Sequence, residues 1–284
     1  MAITPDGARL AYCTGGADTS EAPIDPVQRL LVQDLATGQV VERYRAATGE
    51  HISESAWSPD GRELAFISTD ARFRSHILIA GDQSVYPLAH APGGEHHQWW
   101  SLGWLPNGIA VSVHDMQDLF VFDRKGHLQE QVALPKIMGS GSVHLITSTD
   151  RLLASPRDSQ LFAYTQSVPG TQLFEHTTHE SNTALSLHDR FLGTGKNLRL
   201  TPPEITVSAI AWSPDGRFLY FSGYRDQQAG DRYPFRIHRI QPNRQGLAVL
   251  PIRGERVSVG CPTPASTDTS QVRSIHSTKE SRPR

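Results

Sequence analysis

The chain has 284 residues, with 27 basic against 29 acidic side chains and a pI near 6.7. That length is ample for a real core, while a net charge of -2 supplies no basic field for nucleic acid. Apolar runs such as Ile109-Ala110-Val111 fall far short of the roughly 20 residues of a membrane span.

Two cysteines, Cys13 and Cys261, exclude a disulfide scaffold and a Cys-rich zinc module. Met1-Ala2-Ile3-Thr4-Pro5 has no charged region followed by an apolar one, so the chain as written is expected to be a soluble cytoplasmic protein, and a periplasmic one if its N-terminus is truncated. The 23 Arg against 4 Lys fit a GC-rich bacterial genome.

In chain order the first unit is Ile3-Thr4-Pro5-Asp6-Gly7-Ala8-Arg9-Leu10-Ala11-Tyr12. It returns without gaps as Trp57-Ser58-Pro59-Asp60-Gly61-Arg62-Glu63-Leu64-Ala65-Phe66, and again as Trp212-Ser213-Pro214-Asp215-Gly216-Arg217-Phe218-Leu219-Tyr220-Phe221. A fourth copy, Trp104-Leu105-Pro106-Asn107-Gly108-Ile109-Ala110-Val111, has Asn for Asp and lacks two residues after its glycine. Weaker copies centre on Asp150 and Asp189. Pro-Asp-Gly is turn chemistry: Pro presets φ, Asp bonds its own backbone and Gly accepts positive φ. The flanks alternate apolar and polar, as in Arg62-Glu63-Leu64-Ala65-Phe66-Ile67, and further strand-like runs follow, such as Arg29–Asp34 and Gln39–Tyr44 around the turn Leu35-Ala36-Thr37-Gly38. A repeat of about 40–50 residues with four strands is a propeller blade.

Ala56-Trp57-Ser58-Pro59-Asp60-Gly61 and Ala211-Trp212-Ser213-Pro214-Asp215-Gly216 resemble the WD40-like, or PD40, repeat of the TolB family. The resemblance covers residues 1–264 and implies a β-propeller. It implies no single activity, because related blades serve as binding modules, peptidase gates and lyase scaffolds. The expected fold is all-β: one propeller of six blades, one of them reduced near Asp189. Five blades with a long insertion at Asn182–Glu204, or a truncated larger propeller, are the alternatives. Residues 265–284 are Ser/Thr/Arg-rich and read as a disordered polar tail.

The first blade starts almost at its turn, while Val257-Ser258-Val259-Gly260-Cys261-Pro262-Thr263-Pro264 matches Val207–Pro214 in length, with Val, Ser and the final Pro identical. The C-terminal strand is therefore expected to close the ring and bring Cys261 near Cys13 as two unpaired thiols. If the strands of a blade are a to d, the a–b and c–d turns share one face and the b–c and d–a loops share the other. The second face collects the long loops Thr14–Pro26 and Gly223–Pro234. It also collects a recurring acid-and-base pair: Gly49-Glu50-His51, Gly94-Glu95-His96-His97, Glu175-His176 with His179-Glu180, and Gly254-Glu255-Arg256. That face is the candidate functional surface.

Two function classes follow. The first is a non-enzymatic scaffold holding a protein or peptide at the mouth, with Trp99, Trp100, Arg225, Arg232 and Arg256 as candidate contacts and no cofactor expected. The second is a metal-dependent enzyme. Imidazole is a frequent transition-metal ligand, and His96-His97-Gln98 with His176 and His179 resemble the metal-binding elements of oligogalacturonate lyases, which share PD40-type blades. That resemblance implies manganese or another divalent metal on His51, His96, His97, Gln98, His176 and His179, with an acidic oligosaccharide as substrate. The alternative for Gly-Glu-His is a blade turn copied with the repeat and chemically inert. Trp57, Trp104 and Trp212 recur at one blade position and read as core. The chain has no Gly-x-Ser-x-Gly elbow, phosphate loop or His-Glu-x-x-His motif.

Overall fold

The structure is a computed structural model. It describes residues 2–15, 27–88, 99–113, 118–133, 152–158, 161–167, 183–189, 197–202, 204–225, 235–253, 258–259 and 272–273. Among the described residues five antiparallel four-stranded sheets follow one another, each ordered a-b-c-d. Blade 1 is β1 (Ala2–Ile3), β2 (Arg9–Thr14), β3 (Arg29–Asp34) and β4 (Val40–Arg45). Blade 2 is β5 (His51–Trp57), β6 (Leu64–Thr69), β7 (Ser75–Ala80) and β8 (Val85–Pro87). Blade 3 is β9 (Trp99–Leu105), β10 (Gly108–Val113), β11 (Asp118–Asp123) and β12 (Leu128–Ala133). Blade 4 is β13 (Leu152–Ala154), β14 (Leu161–Ser167), β15 (Thr183–Asp189) and β16 (Asn197–Arg199). Blade 5 is β17 (Ile205–Trp212), β18 (Leu219–Arg225), β19 (Arg236–Ile240) and β20 (Ala248–Arg253). A two-stranded sheet, β21 (Ser258–Val259) with β22 (Val272–Arg273), completes the described strands.

The core lies between blades. One cluster joins Ala11, Leu30 and Val32 of blade 1 to Trp57, Leu64 and Phe66 of blade 2, and blades 2–3, 3–4 and 4–5 repeat the arrangement. A b strand is covered on both faces, so it reads as a continuous apolar run; all six residues of Gly108–Val113 are buried. The d strands form the outer edge and are more exposed, as in Leu128-Gln129-Glu130-Gln131-Val132-Ala133. The repeated tryptophans also tie the blades together. Trp57 Nε1 donates to the Ala2 carbonyl at 3.3 Å, Trp104 to Ala56 at 2.8 Å and Trp212 to Leu153 at 3.2 Å. Each indole thus bonds the a strand of the preceding blade.

The Pro-Asp-Gly turns are self-contained networks. Ser58 Oγ donates to Asp60 Oδ1 at 2.6 Å and accepts the Glu63 N–H at 2.9 Å. Ser213 does the same with Asp215 and Phe218, and Thr4 takes the Arg9 N–H at 2.9 Å.

Five four-stranded blades correct the expected six. The fourth blade turns at Ser155-Pro156-Arg157-Asp158, where the Ser155 N–H donates to the Leu161 carbonyl. This turn keeps Ser-Pro, has lost Asp-Gly, and has Ala154 where its neighbours carry tryptophan. Asp189 is not a turn residue: it ends strand c, opposite Leu161. The stretch expected as a reduced blade, or as an insertion at 182–204, therefore supplies strands c and d of blade 4, and Asp150 lies outside the described residues.

Among the described residues Ser258–Val259 pairs with Val272–Arg273, inside the segment 265–284, and β1 is the strand beside β2. β21 lies next to both β1 and β17, the a strands of the first and fifth blades. Cys13 is an exposed free thiol, and Cys261 is outside the described residues. No helix among the described residues is long and apolar enough to cross a membrane.

Candidate binding site on the loop face

Antiparallel pairing within each blade places the b–c and d–a loops together, as the strand order requires. The best described part of that face is where the chain passes from blade 1 to blade 2. The d–a loop, Ala46–Glu50, runs from β4 to β5, and the b–c turn, Asp70–Arg74, joins β6 to β7. They touch: a Cβ on Gly49, which sits at φ 81°, would come within 3.1 Å of the Ala71 Cβ. Between them lies a cleft of about 370 Å³, lined by Ala47, Thr48, Glu50, Asp70, Ala71, Arg72 and Arg74.

Two carboxylates build the walls of this cleft. Glu50 Oε1 accepts the Tyr44 hydroxyl at 2.6 Å and the Ser68 hydroxyl, and Oε2 accepts the Ala47 N–H at 2.6 Å. Both oxygens are occupied by groups of blades 1 and 2, so Glu50 fastens the loop to the sheets. Burial and the Glu50 carboxylate push the Tyr44 phenol up to about 12. Asp70 does the equivalent for the turn. Its Oδ1 accepts the N–H groups of Arg72 and Arg74, both at 2.9 Å, and its Oδ2 pairs with Arg74 Nε at 2.8 Å and a terminal nitrogen at 2.7 Å. The backbone N–H of Arg74, with these other donors, holds the Asp70 carboxyl at about 2.

Phe73 stands at the tip of the same turn. It has φ 61° and is 72% exposed. Left-handed backbone costs a non-glycine residue about 1–2 kcal/mol, and a bulky residue there is an outlier. Arg72 beside it is exposed.

The residues singled out from the sequence are distributed as follows. His51 opens β5 opposite Thr69 and is exposed. Among the described residues no group of three or more His, Cys, Asp or Glu side chains is placed to hold a metal. Trp99 is 3% exposed and packs edge-on against Phe120 and Phe122 in the core between blades 2 and 3. A ring so covered has no face for stacking, so its place outside the Trp57 register reflects a second core position. Trp100 is half-buried against the core between blades 3 and 4. Arg225 ends β18, paired with Ile205. His96, His97, Gln98, His176, His179, Arg232 and Arg256 lie outside the described residues. In the described Gly-Glu-His copy, Glu50 serves as a structural acceptor. No repeat motif marks Asp70-Ala71-Arg72-Phe73-Arg74 in the sequence. Its signal was a large aromatic between two arginines within a turn.

No protein-family model matches the sequence, and neither does any curated protein. Solved structures do share its architecture. TolB from Acinetobacter baumannii superposes with a TM-score of 0.61 at 14% identity, over 91% of this chain and 56% of that one. The chain thus spans little more than half the length of that relative. A TolB-type protein from Agrobacterium tumefaciens gives 0.55 at 16% identity, over 89% and 79% of the two chains. The fold they share with this chain is the β-propeller. An oligogalacturonate lyase in complex with manganese shares it too, with a TM-score of 0.52 at 14% identity over 94% of this chain and 71% of that one. At these identities the likeness is one of fold, and the β-propeller is compatible with both function classes.

Proposed function

We propose that the chain is a non-enzymatic β-propeller scaffold that holds a protein or peptide partner on its b–c and d–a loop face. The observation that carries this reading is the cleft between Ala47–Glu50 and Asp70–Arg74, whose two carboxylates are already committed to the protein itself. A carboxyl held at about 2 is a poor proton donor or acceptor near neutral pH, where general acid–base work calls for a value close to the working pH. A wall of fixed backbone and saturated carboxylates suits shape recognition instead. The test is amide exchange of the whole chain with peptides selected on it by display. Bound peptide is expected to slow exchange at 46–50 and 70–74, and Thr48→Trp, which fills the cleft from an exposed position, is expected to abolish that protection. Selected peptides that protect neither segment would overturn the reading.

The second reading, a metal-dependent polysaccharide lyase, draws on the fold shared with the manganese-bound oligogalacturonate lyase. His51, His96, His97, Gln98, His176 and His179 would be its ligands. Elemental analysis of the purified chain beside His96→Ala and His176→Ala decides it: stoichiometric metal lost in both variants would replace the scaffold reading, and metal-free protein would remove the lyase.

A further inference from the structure

We infer that Phe73 is the anchor of this interface, and that the partner is a protein segment offering an apolar pocket rimmed by carboxylates; the inference rests on the loop-face reading above. The Asp70–Arg74 turn is built like Asp123–His127 of blade 3. In each, the first N–H donates to the fifth carbonyl, the fourth N–H donates to the first carbonyl, and the leading Asp Oδ1 takes the third and fifth N–H groups. The fourth position is left-handed in both. Blade 3 fills it with Gly126 at φ 85°, and blade 2 with Phe73 at φ 61°. None of the turn's hydrogen bonds uses the Phe73 side chain, so glycine would close it as well. Nor does folding recover the cost by burial, since the ring is 72% exposed.

The other exposed large hydrophobic residues among those described, from 37% to 59%, lie on outer d strands or, for Leu247, between strands c and d. Phe73 is the one on the loop face. Its base is held fixed by Asp70, so the ring is presented at little further cost in order, a property of anchoring aromatics. The neighbouring charges indicate what it meets. Arg74 is spent on Asp70, and Glu50 and Asp70 have their oxygens occupied within the chain. Arg72 is exposed, with no ion pair among the described residues. One uncommitted cation therefore stands beside the ring, and its complement is a carboxylate.

The test uses randomised short peptides displayed on phage, selected on the full chain, then synthesised and measured against Phe73→Gly, Phe73→Asn and Arg72→Glu. Glycine and asparagine both accept the left-handed conformation, so the turn survives. Expected are peptides with Asp or Glu near aliphatic residues, weakened about 30-fold or more by either Phe73 variant and about 10-fold by Arg72→Glu. The melting temperatures of the Phe73 variants should hold or rise by about 2 °C. Peptides that protect 46–50 yet bind Phe73→Gly equally well overturn the anchor and leave the loop-face reading standing. Absence of any loop-face peptide overturns both. Phe73-dependent binding to vesicles of phosphatidylethanolamine and phosphatidylglycerol without peptide binding overturns the protein partner. A fall of several degrees in both Phe73 variants would make the ring a packing group and also overturn the inference.

Discussion

On the a–b side of the propeller, blades 1, 2 and 5 repeat one turn down to its hydrogen bonds: Thr4, Ser58 and Ser213 each take the N–H five residues on. On the b–c side, blade 2 borrows a backbone plan seen in the blade 3 c–d turn and departs from it in the residue at its tip. The repeated side also carries one recurring set of blade-to-blade ties. Trp57, Trp104 and Trp212 bond the preceding blade, and Arg9 and Arg124 lie over the Trp57 and Trp104 rings at 4.9 and 5.6 Å. The contrast separates two reasons for a residue to be where it is. What recurs from blade to blade satisfies the blade's own packing and polar groups. The blade 5 turn Gln241–Gln245 shares the two backbone bonds and seats the polar Arg244 at φ 71°, so it is an exposed apolar ring on such a seat, with no internal gain, that marks interaction with something else.

The comparison breaks most sharply at the tryptophans. Trp104→Ala should cost about 3–5 kcal/mol, because it opens a cavity between blades 2 and 3 and leaves the Ala56 carbonyl without its indole donor. A denaturant midpoint unchanged by this substitution would show that the blades are not held together there. The left-handed seats come next. Gly126→Ala, at φ 85° in the blade 3 turn, should destabilise by about 1–2 kcal/mol, whereas Phe73→Gly should cost nothing or stabilise. Equal losses at both positions would mean that the two turns are under the same constraint, and the contrast between the faces would fall. Ser58→Ala is smaller. It removes the acceptor of the Glu63 N–H and the donor to Asp60, for about 1 kcal/mol, and Ser213→Ala should match it if the turns are true copies.

The fold was legible wherever the repeat kept its residues. Trp-Ser-Pro-Asp-Gly located blades 2 and 5, and alternation gave their strands. Blade 4 was misread for a physical reason. Its turn is closed by the backbone and by Ser155 Oγ, which accepts the Arg157 and Asp158 N–H groups at 3.3 Å, so it needs neither Asp nor Gly at the usual places. Ala154 fills the tryptophan position, removing the strongest marker. Asp189-Arg190 then imitated a turn, although Asp189 lies in a seven-residue ladder with β14. At the site, pattern led to Glu50 because Gly-Glu-His recurs. It could not lead to Phe73, whose significance lies in a backbone angle and an exposure that spacing does not encode. Trp99 failed the opposite way: an aromatic out of register looked free, and three-dimensional packing against Phe120 and Phe122 makes it core.

The smallest expected effects are those of pH, and they separate the two elements that shape the cleft. Asp70 is held at about 2, below the ordinary 3.8 of its unfolded form, so its contribution to holding the turn is complete above about pH 4 and is lost as pH falls towards 2. Tyr44 is pushed up to about 12 from 10. The folded form therefore keeps its proton through a range in which the unfolded chain gives it up. Its contribution is complete below pH 10 and is lost as pH rises through 12. Acid should thus loosen Asp70–Arg74 as pH falls towards 2, and alkali should loosen Ala46–Glu50 through the Tyr44–Glu50 bond as pH rises through 12. Spectrophotometric titration should find one fewer tyrosine ionising near 12 in Tyr44→Phe than in the parent chain, and amide protection at Arg72 and Arg74 should fall as pH drops from 4 towards 2. If both segments loosened together at either extreme, loop and turn would be one cooperative element, and Asp70 and Glu50 could not be treated as independent fasteners of the cleft.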